Sequence, residues 1–242
     1  MINLSSLRDH PFSYPILRTE SLIKPDSYNK LKKNWPKFNQ FKTTNGGQLH
    51  RNNLELKTNN ENYKKIHPLF RNLYDELNSI EFRNFLKTKF DLEDAKNNKE
   101  YIGDFDKSEL VMHIAESKDG YENPWHVDER CRIIHFLIYF GDETIKEGGE
   151  LAIGQHKKLN SYLNYKKYPE IKNLEKIEYI KPEDNKGVFI LSQNNSYHKG
   201  CNLKGLRRFI YAGYTSKRKA WKTNGWNISI PFPVRLKQEK SQ

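Results

Sequence analysis

The sequence predicts an α+β protein with a mainly β core, in which a sandwich or barrel of short strands carries helices on its outside. Three observations predict it. Apolar residues at helical spacing dominate the first third of the chain, short runs rich in β-branched and aromatic residues take over from about Glu109, and turn signals separate those runs. With 242 residues, 36% hydrophobic, 30% charged and 13% aromatic, the chain suits one globular domain with a real core.

The opening "MINLSSLRDHPFSYP" has no basic start followed by an apolar stretch, and no apolar run approaches the roughly 18 residues of a membrane span, so the expected location is the cytoplasm. "SLIKPDSYNKLKKNWP" carries a Pro-Asp-Ser start signal, then Tyr28, Leu31 and Trp35 at helical spacing, with Pro36 as the stop. "NYKKIHPLFRNLYDELNSIEFRNFLKTKF" places Leu69, Phe70, Leu73, Leu77 and Ile80 on one stripe, followed by Phe82 and Phe85, with a break expected near Asn78-Ser79. The strand candidates are "ELVMHIAE", "RIIHFLIYF", "GELAIG", "KIEYIKP", "GVFILS" and "RRFIYAGYTS", separated by "KDGYENP", "KEGGE", "EDNKG" and "KGCNLKG". There is no internal repeat, and "KQEKSQ" reads as a loose tail.

A net charge of +12 raises a nucleic-acid partner, but the basic residues are scattered and no reading module accompanies them. A solvated basic surface is expected instead. Cys131 and Cys201 are expected to be reduced thiols without a role.

The chemistry is concentrated around "PWHVDER". Alternate residues of a strand share a face, so His126 and Asp128 point together into whatever that face encloses. His198, in "SQNNSYHKG" just past an apolar strand, supplies a second imidazole. Two imidazoles and one carboxylate make a facial triad that leaves part of an octahedral metal open, a set suited to Fe(II). His113, His135 and His156 are read as structural. "EGGELAIG" offers a two-glycine turn where backbone can approach a neighbour closely. Arg207 and Arg208 open the last strand, where a buried guanidinium needs a partner such as the carboxylate of a small acid.

From "ELVMHIAE" through "RRFIYAGYTS" the chain resembles the Fe(II)- and 2-oxoglutarate-dependent dioxygenases, specifically the prolyl-4-hydroxylase-like branch. The resemblance lies in the ordered set "HVD", "RIIHFLIYFGDE", "GGEL", "SYHKG" and "RRF" and covers roughly half of the chain; "HPFSYPILRTESLIKPDSYNKLKKNWP" also looks like the entry segment of bacterial members. It implies a double-stranded β-helix, or jelly roll, over 101–216, with a helix-rich N-terminal support over 1–100 and a C-terminal extension over 217–242. It also implies the roles. His126, Asp128 and His198 would ligate Fe(II); Arg208, preferred over Arg207, would hold the distal carboxylate of 2-oxoglutarate, with Tyr139 hydrogen-bonding the same group. With Arg208 inward, Ile210, Ala212 and Tyr214 would face inward too.

The expected reaction is hydroxylation of an unactivated C–H bond with O2, releasing succinate and CO2. The substrate would be a protein side chain such as a prolyl residue, an amino acid or a small metabolite, and Tyr121, Trp125, Arg132, Gln193 and Asn195 could line the mouth. A jelly-roll or cupin-like metal protein without 2-oxoglutarate and a nucleic-acid-directed oxygenase are the alternatives. Several members of the resembled family carry another Tyr on the strand before His-x-Asp, where this chain has "LVMHIAE". The segment 155–180 reads as a lid or a long connection.

Overall fold

The computed structural model describes residues 1–43, 50–58, 60–92, 105–128, 132–141, 144–157, 168–193 and 195–215. Its elements are β1 (Arg8–His10), β2 (Ile16–Thr19), α1 (Pro25–Lys33), β3 (Arg51–Leu56), α2 (Glu61–Lys65), α3 (Pro68–Leu77), α4 (Ile80–Lys89), β4 (Glu109–Ser117), β5 (Asn123–His126), β6 (Arg132–Phe140), β7 (Ile145–Gly148), β8 (Leu151–His156), β9 (Leu174–Ile180), β10 (Gly187–Leu191), β11 (Tyr197–Gly200), β12 (Leu203–Gly205) and β13 (Arg207–Thr215). A seven-stranded sheet runs β1-β2-β10-β6-β13-β4-β3, a four-stranded sheet runs β5-β11-β8-β9, and β12 pairs with β7. Every strand pairing among the described residues is antiparallel. This is the jelly roll, with the N-terminal helices against one face of the larger sheet.

Alternation along the central strands builds two cores. On β6, Ile134, Phe136, Ile138 and Phe140 enter a cluster with Phe70, Leu73 and Leu77 of α3, while Leu137 and Tyr139 enter the layer between the sheets. Strand β13 divides the same way: Ile210, Ala212 and Tyr214 face the helices, and Phe209 faces the second sheet. Both faces of β6 and β13 are therefore covered, which is why they read as continuous apolar runs.

The helices begin where the caps dictate. Pro25 opens α1 and Pro68 opens α3. The break expected near Asn78-Ser79 is present, because the Ser79 hydroxyl accepts from the Phe82 amide and starts α4 afresh. That new start resets the helical phase. Ile80 consequently leaves the expected stripe and is 60% exposed.

The glycine turn joins β7 to β8 and packs on the connection between β11 and β12. Gly148 and Gly149 sit at φ +75° and +78°, and the Gly149 amide donates to Asn202 O at 2.9 Å. A Cβ on Gly148 would lie inside the van der Waals envelope of Asn202 O. Gly148→Ala is therefore expected to lower unfolding free energy by about 1–3 kcal/mol, from backbone strain plus displacement of the 202 segment. Chemical denaturation measures this; an unchanged midpoint would contradict the close approach. No helix among the described residues is long and apolar enough to cross a membrane.

Candidate active site

The end of the four-stranded sheet brings the triad together. His126 closes β5 and is the direct register partner of His198 on β11, with ring centroids 4.3 Å apart. Asp128 follows just beyond β5. Its Oδ1 lies 3.7 Å from His126 Nε2 and 3.9 Å from His198 Nε2, and one ligand atom from each residue falls within 4.8 Å of the others.

Backbone carbonyls set the tautomers. His126 Nδ1 donates to Pro124 O at 2.7 Å and His198 Nδ1 donates to Ser196 O at 3.0 Å, and a carbonyl can only accept. In each neutral ring the proton is thus on Nδ1, which leaves the Nε2 lone pair turned toward Asp128. Burial, then the neighbouring His135, push the His198 imidazole down to about 4, so it is neutral at physiological pH.

Asp128 is held by residues whose role the sequence does not announce. Its Oδ1 forms an ion pair with Arg132 at 3.1 Å, its Oδ2 accepts from the Tyr211 hydroxyl at 3.2 Å, and His135 Nδ1, hydrogen-bonded to Ser192 Oγ at 3.2 Å, lies 3.0 Å from Oδ2. Arg132 also donates to the Tyr211 hydroxyl. Burial alone would raise the Asp128 pKa, but Arg132 and the three imidazoles outweigh it and hold the carboxyl well below its usual range. His135 is fully buried, pushed down to about 4 by burial, and its Nε2 has no hydrogen-bond partner among the described residues.

His135 was expected to be structural; it lies instead against the triad carboxylate and the His198 ring, 3.0 Å from Asp128 Oδ2 and with ring centroids 4.6 Å apart. The available signal was one imidazole inside an otherwise apolar strand, "RIIHFLIYF". His135→Gln is expected to weaken divalent-metal binding by about 10–100-fold, because partners that orient a ligand contribute that much. Competition titration with a chromogenic chelator reads the change, and unaltered affinity would remove His135 from this role.

A cavity of about 860 Å³ opens beside the triad. Among its lining residues are Tyr139 from β6 and Arg207 and Phe209 from β13. The Tyr139 hydroxyl is buried and has no partner among the described residues, and burial, only partly offset by Arg207, pushes its pKa well up. Arg207 is 3% exposed, donates to Gly149 O, lies over the rings of Phe209 and Tyr121 at 4.6 and 5.0 Å, and leaves Nε unpaired among the described residues.

The expected orientation of the Arg pair is corrected here. Arg208 faces the opposite side of the sheet edge, where its Nε donates to Glu116 Oε1 at 3.1 Å. Ile210, Ala212 and Tyr214, expected to share the cavity with Arg208, pack against the helices instead. The physical reason is parity: residues 207, 209 and 211 line the cavity.

Of the residues expected at the mouth, Tyr121 and Arg132 line the cavity. Trp125 packs in a separate cluster with Val127, Ala152, Leu174 and Tyr197, its ring set against Gly154. Gln193 and Asn195 are buried away from the lining. Tyr121 brings a phenol ring to Arg207 although "LVMHIAE" has no tyrosine. Cys201 is a free thiol, whereas Cys131, residues 158–167 at the centre of 155–180 and the extension 217–242 lie outside the described residues.

A family model described as "2OG-Fe(II) oxygenase superfamily" matches residues 112–216. No curated protein matches by sequence. Among solved structures, a prolyl-4-hydroxylase of Pseudomonas putida superposes with TM-score 0.55 at 10% identity, covering 85% of this chain and 94% of that one. An oxidoreductase of the 2OG-Fe(II) oxygenase family from Burkholderia pseudomallei gives 0.52 at 8% identity, covering 84% of each. A prolyl hydroxylase from Trichoplax adhaerens, in complex with a peptide fragment of the hypoxia inducible factor oxygen degradation domain, gives 0.50 at 11% identity, covering 86% and 87%. At such identities the likeness is one of fold, and it is the double-stranded β-helix. Residues 112–216, which match the 2OG-Fe(II) oxygenase superfamily model, hold both imidazoles and the carboxylate of the triad.

Proposed function

We propose that the protein is an Fe(II)- and 2-oxoglutarate-dependent hydroxylase, with His126, Asp128 and His198 as metal ligands and with Arg207 and Tyr139 receiving the distal carboxylate of 2-oxoglutarate. One observation carries this reading: two buried polar groups with unmet hydrogen bonds among the described residues, Tyr139 Oη and Arg207 Nε, belong to residues lining the cavity that the triad borders. A buried guanidinium and a buried phenol are costly without an acceptor, and a carboxylate supplies one to both. The donor set of two imidazoles and one carboxylate likewise fits a divalent iron with open positions.

When bound, iron and 2-oxoglutarate supply the activation of O2, with release of succinate and CO2. The chain's own residues do the positioning. Pro124 O and Ser196 O fix the two imidazoles, and Arg132 and Tyr211 fix the carboxylate, so the ligand geometry exists before anything binds. Phe209 and Leu137 give the pocket apolar walls that limit water around the reacting groups. The substrate is a protein side chain, an amino acid or a small metabolite, and the catalytic core is 101–216, supported by 1–100.

Succinate release from 2-oxoglutarate by the Fe(II)-supplemented protein tests the reading. The expected result is O2-dependent succinate that disappears in His198→Ala. Full activity in that variant would overturn the assignment.

A further inference from the structure

Arg207 is the charge assigned to 2-oxoglutarate, yet among the described residues it forms no ion pair of its own. One carbonyl, Gly149 O, and two aromatic faces hold it, for its guanidinium is 4.6 Å from the Phe209 ring centre and 5.0 Å from that of Tyr121. Phe209 arrives with the strand, because residues 207 and 209 of β13 share a face. Tyr121 arrives from the connection between β4 and β5, outside any strand. All three residues line the cavity.

The chain delivers that ring deliberately. Strand β4 ends at Ser117, the direct register partner of Arg207, and the chain then folds back in a tight turn: the Tyr121 amide donates to Lys118 O at 2.9 Å, with Gly120 at φ +81° inside it. Tyr121 is thereby returned to Arg207. Two further backbone bonds fix the turn, from Gly120 N to Leu203 O at 2.9 Å and from Leu203 N to Tyr121 O at 3.1 Å. The ring rests on Gly200, where a Cβ would lie 3.1 Å from Tyr121 Cε1 and 3.3 Å from its hydroxyl oxygen. That hydroxyl accepts from Arg51, so the tip of the ring is tethered as well. Tyr121 is 3% exposed and is held by backbone, face and tip together.

We propose that Tyr121 is a positioning residue for 2-oxoglutarate: its ring, with that of Phe209, holds the Arg207 guanidinium in the orientation that receives the distal carboxylate. This rests on the hydroxylase reading and goes beyond it. An arginine side chain is long and rotamer-rich, and the neighbouring Arg51 charge repels this one. A planar guanidinium stacks on an aromatic face, which a flexible aliphatic side chain of similar bulk does not offer. Without the Tyr121 face, ordering Arg207 falls to the incoming carboxylate, and immobilising one such side chain on binding lowers affinity by about 2–12-fold. The roles are therefore distinct: Arg207 supplies the charge and Tyr121 its placement.

The test is isothermal titration of the full chain, loaded with Fe(II) under argon, with 2-oxoglutarate, in wild type, Tyr121→Leu, Tyr121→Met and Tyr121→Phe. Fe(II) affinity is measured on the same proteins by chelator competition. Tyr121→Leu is expected to raise the 2-oxoglutarate dissociation constant about 3–10-fold. Tyr121→Met, which keeps most of the bulk and guards against a folding failure, is expected to do the same, whereas Tyr121→Phe keeps the face and should stay within about 2-fold of wild type. Fe(II) affinity is expected to move by less than about 2-fold in all three, a split that a general loosening of the site does not produce. Unchanged 2-oxoglutarate binding in the Leu and Met variants, a Phe variant as weak as the Leu variant, or Fe(II) affinity falling in step with 2-oxoglutarate affinity would overturn the proposal. Wild type separates the two readings. If it binds 2-oxoglutarate and the Leu and Met variants bind equally well, only the positioning role fails; if it does not bind 2-oxoglutarate, the hydroxylase reading fails with it.

Discussion

Replacing Arg207 by methionine is expected to raise the 2-oxoglutarate dissociation constant of the Fe(II)-loaded protein by about 30-fold to several thousand-fold. Truncating one member of a buried, hydrogen-bonded charge pair costs about 2–5 kcal/mol, and each 1.4 kcal/mol is a factor of ten. The size of the effect follows from burial, since Arg207 is 3% exposed and lies between Tyr121 and Phe209. Arg208→Met is the matched control. Its partner is Glu116, its side chain is 32% exposed, and pairs so open to water are worth about 0–1 kcal/mol, so the dissociation constant should move by less than a few-fold. The kinetic signature is a raised requirement for 2-oxoglutarate with turnover recovered at saturation. A large effect from Arg208→Met and none from Arg207→Met would reverse the face assigned to β13.

Replacing Asp128 has the second large effect, and it acts on two levels. As a ligand it supplies the one anionic group of the triad, so Asp128→Ala should lose Fe(II) binding and succinate formation to background. As a buried carboxylate it neutralises Arg132, and breaking such a pair from one side costs about 3–5 kcal/mol. The metal-free variant should therefore unfold at lower denaturant than wild type. Asp128→Asn, which keeps the shape and the acceptor oxygen, separates the levels: it should recover much of the stability while metal binding remains lost. Chelator competition and urea unfolding on the two variants provide the comparison, and retained Fe(II) affinity in either would remove Asp128 from the ligand set.

The readable parts of the sequence were those where local pattern and burial agree. "RIIHFLIYF" coincides with β6 from Arg132 to Phe140, because both its faces are covered. His126, Asp128 and His198 could be picked out because the His-x-Asp pair is local and its partner sits at the end of an apolar strand. Choosing between Arg207 and Arg208 required something the residues do not carry. Phe209 and Ile210 are equally buried on opposite faces, so hydrophobicity cannot set the parity of β13. Strand β3 escaped notice for a related reason. Leu54 and Leu56 alternate toward the helices, but the opposite face is polar because it borders a polar cavity, and Arg51, Asn53 and Glu55 imitate a solvated strand. His135 was hidden by its apolar neighbours, since its partner Asp128 comes from the other sheet's end.

The central claim is that one cavity holds Fe(II) on His126, Asp128 and His198 and 2-oxoglutarate on Arg207. Anaerobic titration of metal-free protein with Fe(II) and then 2-oxoglutarate, followed by visible absorption, tests it most directly. The account predicts a weak charge-transfer band that requires both components, is absent in Asp128→Ala, and needs far more 2-oxoglutarate in Arg207→Met than in Arg208→Met. No band in the wild-type protein at saturating iron and 2-oxoglutarate would contradict it.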